Sequence, residues 1–308
     1  MNIQYKRRSR LFALLLFLTI VLSILSSCQF IPGFGTSAST TATGAAEQPS
    51  GEVEIHFIDV GQGDCTLIRT DDAVILVDTG DLKKDITQGI VSYLQALGIN
   101  KIDYLFLTHP DADHIGGAPT IIRTFSVTHC LMPDCAKSTK IFENTVTALE
   151  ERDVDVIQAT AGITLTAGGL RMELLAPNSE KYSKTNNYSI VFRLVFGENR
   201  VLLTGDAELE SEKEMLGKYS AGDLRADILK VGHHGSATST GETFLDRVHP
   251  SYAVISVGTG NKYNHPNQEI LARLQKSGAE ICRTDLSGTI VFRGDGRTFT
   301  RVIHTQTP

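Results

Sequence analysis

Apolar residues along this chain come in short runs separated by glycine, aspartate, asparagine and proline. That rhythm belongs to strands closed by turns, with a few stretches at helical spacing between them. Residues 53–60 alternate as a strand does and lead into a tight loop, Gly61-Gln62-Gly63-Asp64. Residues 65–69 and 73–77 read as a hairpin about Asp71-Asp72, ended by Asp78-Thr79-Gly80. Ile86, Ile90, Leu94 and Leu97 recur at helical spacing, and Gly98 is a good stop. The apolar stretch 102–107 predicts a buried strand, 118–125 a helix and 127–132 another strand. Residues 140–152 form a charged-faced helix with Ile141, Val146 and Leu149 inward. Short strands follow at 154–158, 163–166 and 170–175. Residues 189–196 and 200–203 make a second hairpin, turned by Gly197-Glu198-Asn199, ahead of a helix at 208–216. A strand at 226–231, a helix at 243–248, a strand at 252–257 and a helix at 268–276 closed by Gly278 come next. Strands at 281–283, 289–292 and 298–304 complete the pattern. Hairpins at both ends with interspersed helices suit two packed sheets with helices outside.

Composition adds little to this picture except at the N-terminus. A chain of 308 residues, 41% hydrophobic, is enough for one large or two ordinary domains. Lys6, Arg7, Arg8 and Arg10 precede an apolar run, residues 11–25, that is shorter than the roughly 20 residues of a permanent membrane span. The run ends in Leu25-Ser26-Ser27-Cys28, which resembles a bacterial lipobox. Residues 1–27 are therefore expected to be a lipoprotein signal peptide, cleaved before a lipid-bearing Cys28, with an ordinary secretory signal or uncleaved anchor as the plainer choice. Either places the remainder outside the cytoplasm. Residues 28–50, rich in Gly, Ser, Thr, Ala and Pro, are expected to be a flexible tether, leaving 51–308 as the folded domain. Removing residues 1–27 takes away four basic residues and no acidic one, moving the net charge from −6 to −10. That balance argues against binding nucleic acid through a basic surface, though bound divalent metals reverse the sign locally. Cys65, Cys130, Cys135 and Cys282 allow three disulfide pairings, among them a small Cys130–Cys135 loop, or stand as free thiols.

The strand at 102–107 delivers the chain to Thr108-His109-Pro110-Asp111-Ala112-Asp113-His114-Ile115-Gly116-Gly117. Four potential metal ligands, His109, Asp111, Asp113 and His114, fall within six residues. Pro110 disfavours the α region at His109, so the segment begins as a loop. Gly116 and Gly117 are expected to let the backbone turn tightly beneath the side chains. A strand-end turn with Asp113 capping the next helix explains one aspartate but not two imidazoles. Other candidates also lie just beyond predicted strands. Asp206 follows Gly205, with a helix N-cap as its plain alternative. His233 and His234 follow Gly232, and of two adjacent histidines one usually faces a site and one faces away. His265 lies in Tyr263-Asn264-His265-Pro266, just before a helix.

This set resembles the metallo-β-lactamase superfamily, whose mark is His-x-His-x-Asp-His at the end of a strand. Asp111 stands where the second histidine is usual. That form, followed by Ile-Gly-Gly, is similar to the hydrolase domain of ComEC-type competence proteins. The order of 57–64, 76–80, the ligand loop, 186–189, 203–206, 232–236, 264–266 and 283–288 carries the resemblance from about Glu52 onward. It covers the hydrolase of such proteins and not their membrane channel. The resemblance implies an α/β fold of αββα type, two mixed sheets with outer helices. It implies that His109 and Asp111 bind a first metal, Asp113 and His114 a second, that Asp206 bridges them and that His233 completes the second site. Asp78 is expected to orient the ligand loop from a buried position. Asp64, Asn187, His234 and Ser236 are expected to support the ligands or face the substrate. Asp113 and His265 are expected to serve the chemistry, His265 by contacting phosphate or protonating the leaving oxygen. Lys230 could do the same or simply be solvated. The β-lactamases have one more histidine ligand before the bridging Asp. His129 is the only histidine in that interval and its context does not match, so the first site is oxygen-rich, which keeps both Zn²⁺ and Mn²⁺ open for the two divalent ions.

The function expected is an extracytoplasmic, lipid-anchored metal-dependent phosphodiester hydrolase. The ComEC resemblance implies DNA, single-stranded DNA included. The negative charge and the lack of an evident aromatic platform weigh against it. A choline- or glycerol-phosphate diester of the cell envelope is the alternative substrate, and a binding lipoprotein with a degenerate metal site is the alternative class.

Overall fold

In a computed structural model, described over residues 51–303, the chain forms two sheets and their covering helices. The expected signal segment, Cys28 and the tether lie outside the described residues, as does His304 at the end of the last expected strand. The first half runs β1 (Val53–Phe57), β2 (Thr66–Arg69), β3 (Val74–Val77), α1 (Lys84–Ala96), β4 (Lys101–Phe106), α2 (Ala112–Ile115), α3 (Ala118–Thr124), β5 (Ser126–Met132), α4 (Lys140–Glu151) and β6 (Asp155–Gln158). The second runs β7 (Thr164–Ala167), β8 (Leu170–Ala176), β9 (Val191–Phe196), β10 (Asn199–Leu203), α5 (Leu209–Lys218), α6 (Ala221–Leu224), β11 (Ile228–Lys230), α7 (Glu242–Val248), β12 (Tyr252–Ile255), α8 (Gln268–Ser277) and β13 (Glu280–Arg283). A last helix, α9 (Thr284–Ser287), leads to β14 (Ile290–Gly294) and β15 (Phe299–Val302).

One sheet is ordered β15-β14-β1-β2-β3-β4-β5-β6 and the other β13-β12-β11-β10-β9-β8-β7. Both are mixed. β3 through β6 are parallel neighbours, and so are β10 through β13, while sequential antiparallel pairs and the long-range pair β1–β14 supply the remainder. The continuous apolar runs of β3, β10, β11 and β12 have a simple cause, because these strands are buried on both faces. Ile75 and Val77 of β3 point between the sheets, and Leu76 points to the helices. Val201 and Leu203 of β10 likewise face the first sheet, and Leu202 faces outward to helices. The inter-sheet layer includes the stacked rings of Phe106 and Phe192, 4.4 Å apart and fully buried. Truncating either to alanine would cost about 3–5 kcal/mol. α1, α3 and α4 pack on one outer face, and α5, α7 and α8 on the other. The architecture is the αββα sandwich expected.

β14 returns from the C-terminal end to pair antiparallel with β1, Val53 opposite Gly294 and Phe57 opposite Ile290. Glu54, the second residue of β1, bonds Arg69 of β2 and Arg293 of β14. Burial works against its charge, but the two guanidinium groups hold its carboxyl down at about 2.

Candidate metal centre

The parallel segments of both sheets end at one rim, and every predicted ligand lies on the turns that follow those strand ends. Ligands outside the carboxyl ends of parallel strands are the general rule for such sheets. The two rims are tied together: Ile190 N–H donates to Thr108 O at 3.0 Å, and a Cβ on Gly205 would lie 3.0 Å from Thr108 Cβ. Gly205 also has φ +50°, so a glycine is required there twice over.

His109 follows β4, and α2, a single turn absent from the sequence reading, carries Asp113 and His114. Gly116 and Gly117 do not turn the backbone as expected, for both have right-handed helical angles. They are needed for proximity instead. A Cβ on Gly116 would meet Asp81 and Leu82 backbone at 2.3 Å, and one on Gly117 would meet Thr79 O at 2.6 Å. Asp206 follows β10, with its N–H bonded to Ser189 Oγ. It caps no helix, since the N-cap of α5 is Glu208. His233 and His234 both take left-handed backbone angles, φ 47° and 54°, after β11.

His109, His114 and His234 are each fixed by one ring nitrogen and leave the other unpartnered. His114 Nδ1 donates to Asp78 Oδ2 at 2.7 Å, because a carboxylate can only accept. His234 Nδ1 donates to the Ser256 carbonyl at 2.9 Å. His109 Nδ1 lies 3.2 Å from Thr108 Oγ1 and 3.4 Å from Ser189 Oγ. The Nε2 atoms of all three are buried with no hydrogen-bond partner, and so are Asp206 Oδ1, Asp64 Oδ1 and His265 Nδ1. An orphaned buried polar atom costs about 1–3 kcal/mol. Several gathered at one point are the signature of a cation site, and a histidine whose second nitrogen is held by carboxylate or carbonyl is the usual metal ligand.

The separations agree. His109, His114 and Asp206 offer atoms within 4.8 Å of one another, as do Asp113, His114 and His234, and Asp64, Asp206 and His234. His114 Nε2 is 3.2 Å from Asp206 Oδ1, while His234 Nε2 is 3.6 Å from Asp206 Oδ2 and 3.4 Å from Asp113 Oδ2. Asp206 thus turns one oxygen to each imidazole. Burial alone would raise its pKa, but His114, His234 and His109 hold it well below the ordinary range. Burial opposes charge on His114 as well, yet Asp206 and Asp78 on its two sides raise its pKa. His109 is pushed down to about 4 by burial and by His114. Burial, then His233 and His234, hold His265 at about 4, so it is neutral at neutral pH. The mixed imidazole and carboxylate set fits a divalent first-row metal.

Two placements differ from the resemblance. Asp111 is not brought into the cluster: its carboxylate accepts from Lys137 Nζ at 2.8 Å, and its backbone opens α2. His234, expected in a supporting role, is the buried member of the pair. His233 stands at the rim, 3.7 Å from Asp206 Oδ2 and 3.4 Å from Glu208 Oε1. Asn187 faces away from the cluster, accepting from Glu208 N and Ser211 N and donating to Glu210. Ser236 bonds Thr238. Lys230 is neither solvated nor free, for its buried ammonium is 2.8 Å from Asp64 Oδ2 and donates to Val231 O. Its position inside a parallel strand, among apolar neighbours, was the available signal. Cys65, Cys130, Cys135 and Cys282 are all free, and none belongs to the His/Asp groups of the centre.

Comparison with known proteins follows the same lines. A family model described as the metallo-beta-lactamase superfamily matches residues 58–157 and 178–259. ComE operon protein 3 of Bacillus subtilis is 34% identical over 264 residues, 80% of this chain and 34% of that protein. Competence protein ComA of Neisseria gonorrhoeae is 35% identical over 252 residues, 81% and 33% of the two chains. The chain spans about a third of the length of these relatives. The crystal structure of the metallo-beta-lactamase fold protein YhfI from Bacillus subtilis superposes with a TM-score of 0.54 at 13% identity, covering 80% of this chain and all of that one. CmlA, a diiron beta-hydroxylase from Streptomyces venezuelae, gives 0.52 at 15% identity over 83% of this chain and 55% of its own.

Proposed function

The chain belongs to the metallo-β-lactamase superfamily, and on that premise we propose that it is a metal-dependent phosphodiester hydrolase acting on DNA outside the cytoplasm. The observation that carries the reading is the convergence of the orphaned Nε2 atoms of His114 and His234 on the two oxygens of Asp206, with His109 in the same group. Similarity to competence proteins supports DNA as substrate. The basic and apolar N-terminal stretch ending at Cys28 supports export and a lipid anchor. Among the described residues no helix is long and apolar enough to cross a membrane.

His109, His114, His234, Asp113 and Asp206 would hold two divalent ions, Zn²⁺ or Mn²⁺. When bound, such ions supply Lewis-acid stabilisation of the phosphoryl oxygens and make water acidic enough to attack at neutral pH. Asp78 and the Ser256 carbonyl each accept from Nδ1 of His114 and His234, so both rings present Nε2 to the centre. Lys230 neutralises Asp64 beneath the centre and limits the negative charge there. His265, neutral, offers a phosphate oxygen one N–H rather than a proton to the leaving group. Overall, water adds to phosphorus, one P–O ester bond breaks, and the released alkoxide takes the proton.

The test sets the purified protein, with Mn²⁺ or Zn²⁺, against a single-stranded oligonucleotide and methyl p-nitrophenyl phosphate. We expect about two ions per chain and turnover of both substrates, each lost in His114→Ala and Asp206→Ala. A protein that takes up neither metal refutes the reading. Cys28→Ser should abolish acyl labelling of the expressed protein.

A further inference from the structure

The sequence alone offers no aromatic platform, but the fold assembles one. The loop between β12 and α8 is built around Asn261, whose Oδ1 accepts from Tyr263 N and His265 N and whose Nδ2 donates to Gly258 O and His265 O. Four bonds from one side chain hold the segment rigid. It presents Tyr263, 52% exposed and the only aromatic among the strongly exposed large hydrophobic side chains of the described residues. Its ring stacks on His265 with centroids 5.7 Å apart and planes 27° from parallel. His265 meets His233 at 5.5 Å, and His233 meets His234 at 6.2 Å. A line of rings therefore runs from the metal centre outward and ends at an open face. Lys262, exposed, lies 5.1 Å from the Tyr263 centroid on a flexible stem.

Tyr263, Lys262 and Asn261 line a groove of about 970 Å³ that also reaches Asp113. Its charge is unusual for a strand-binding channel. Asp59, Asp81 and Asp85 face it, against Lys83 and Lys262, and Lys83 is itself 3.4 Å from Asp81. A polyanion would gain little from such a wall. Stacking does not depend on that charge, and an exposed tyrosine supplies it to any base.

Resting on the phosphodiesterase reading above, we propose that Tyr263 is the stacking platform for a nucleobase of single-stranded DNA whose neighbouring phosphate lies at the His/Asp centre. Affinity then comes from the base and not from a track of phosphates. Lys262, which has no carboxylate partner among the described residues, is able to leave the ring for a phosphate. Tyr263 acts here as a specificity residue, favouring strands with exposed bases.

The experiment compares a single-stranded oligonucleotide with an abasic strand of equal length, using the Mn²⁺-loaded full chain. Loss of one stacked base corresponds to a roughly 5- to 150-fold change in affinity. Tyr263→Ala should raise KM for the oligonucleotide by that factor with little change in kcat, and Tyr263→Phe, which keeps the ring, should restore it. The wild-type protein should bind the abasic strand about as weakly as Tyr263→Ala binds DNA. The slope of log affinity against log salt should be about −0.7 to −1.4, as for one or two phosphate contacts. An unchanged KM in Tyr263→Ala, or equal KM for the two strands, overturns the platform alone. Turnover of methyl p-nitrophenyl phosphate with neither strand cleaved overturns the DNA reading and the platform together.

Discussion

Replacing Asp78 by asparagine keeps the shape of a buried group and changes what it can accept. In the native protein Asp78 receives three bonds, from Thr108 N at 2.8 Å, Thr108 Oγ1 at 2.7 Å and His114 Nδ1 at 2.7 Å. Asparagine retains the first through Oδ1. Its Nδ2 then faces the Thr108 hydroxyl, which can turn to accept, and His114 Nδ1, which must give up its proton to accept. The proton moves to Nε2, the atom that faces Asp206 Oδ1 at 3.2 Å and that the metal needs. The fold loses the equivalent of one hydrogen bond, about 1 kcal/mol, or a Tm shift of about 2–4 °C for a domain of this size. Metal affinity should fall by about 10- to 100-fold, the usual effect of losing an outer partner of a ligating histidine, which is about 1.4–2.7 kcal/mol. Isothermal titration with Mn²⁺ or Zn²⁺ measures the affinity, and ¹⁵N imidazole shifts report the tautomer. Affinity within twofold of wild type, with the His114 proton still on Nδ1, refutes the reasoning.

Two further predictions concern the ligand set and pH. His234→Ala should remove at least one ion per chain by elemental analysis, whereas Asp111→Ala should retain the metal, because Asp111 is engaged with Lys137. Loss of metal from the Asp111 variant with retention in the His234 variant would restore the assignment implied by the family motif. Glu212 of α5, 3% exposed, accepts from Thr240 N and Gly241 N, and burial raises its pKa from 4.5 to about 7. The folded state therefore holds that proton after the unfolded chain has released it, so stability falls as pH rises from about 4.5 to 7 and levels off above. The loss is about 3 kcal/mol. In Glu212→Gln this fall should vanish from a Tm against pH series, and an identical profile would refute it.

Most strands were legible because parallel strands buried on both faces write themselves as unbroken apolar runs, as at Val74–Val77 and Val201–Leu203. The turns were less so. α2 has too few residues to show a period, and its place is set by how closely Gly116 lets it approach the Asp81 backbone and Gly117 the Thr79 carbonyl. His109, His114 and Asp206 could be picked out as following strand ends, but which of two adjacent histidines turns inward depends on two left-handed residues and on a carbonyl from β12's far end. Asp111 sits at a motif position, and only Lys137, 26 residues on, reveals its partner. The platform at Tyr263 escaped for a similar reason, since the rings behind it come from separate turns.

The antiparallel seam between β1 and β14 has a consequence for how long the nascent chain waits. One flank of Phe57 stays bare until Ile290 has been made. At ribosomal speeds of 5–20 residues per second that interval is roughly 10–50 s. An edge strand of five residues, four of them Val, Ile, His and Phe, is a template for wrong partners over such a time. Glu54 interrupts it with a charge one residue from its start, kept ionised down to about pH 2 by its two arginines once the seam has closed. The same carboxylate that later joins three strands guards the open edge during synthesis.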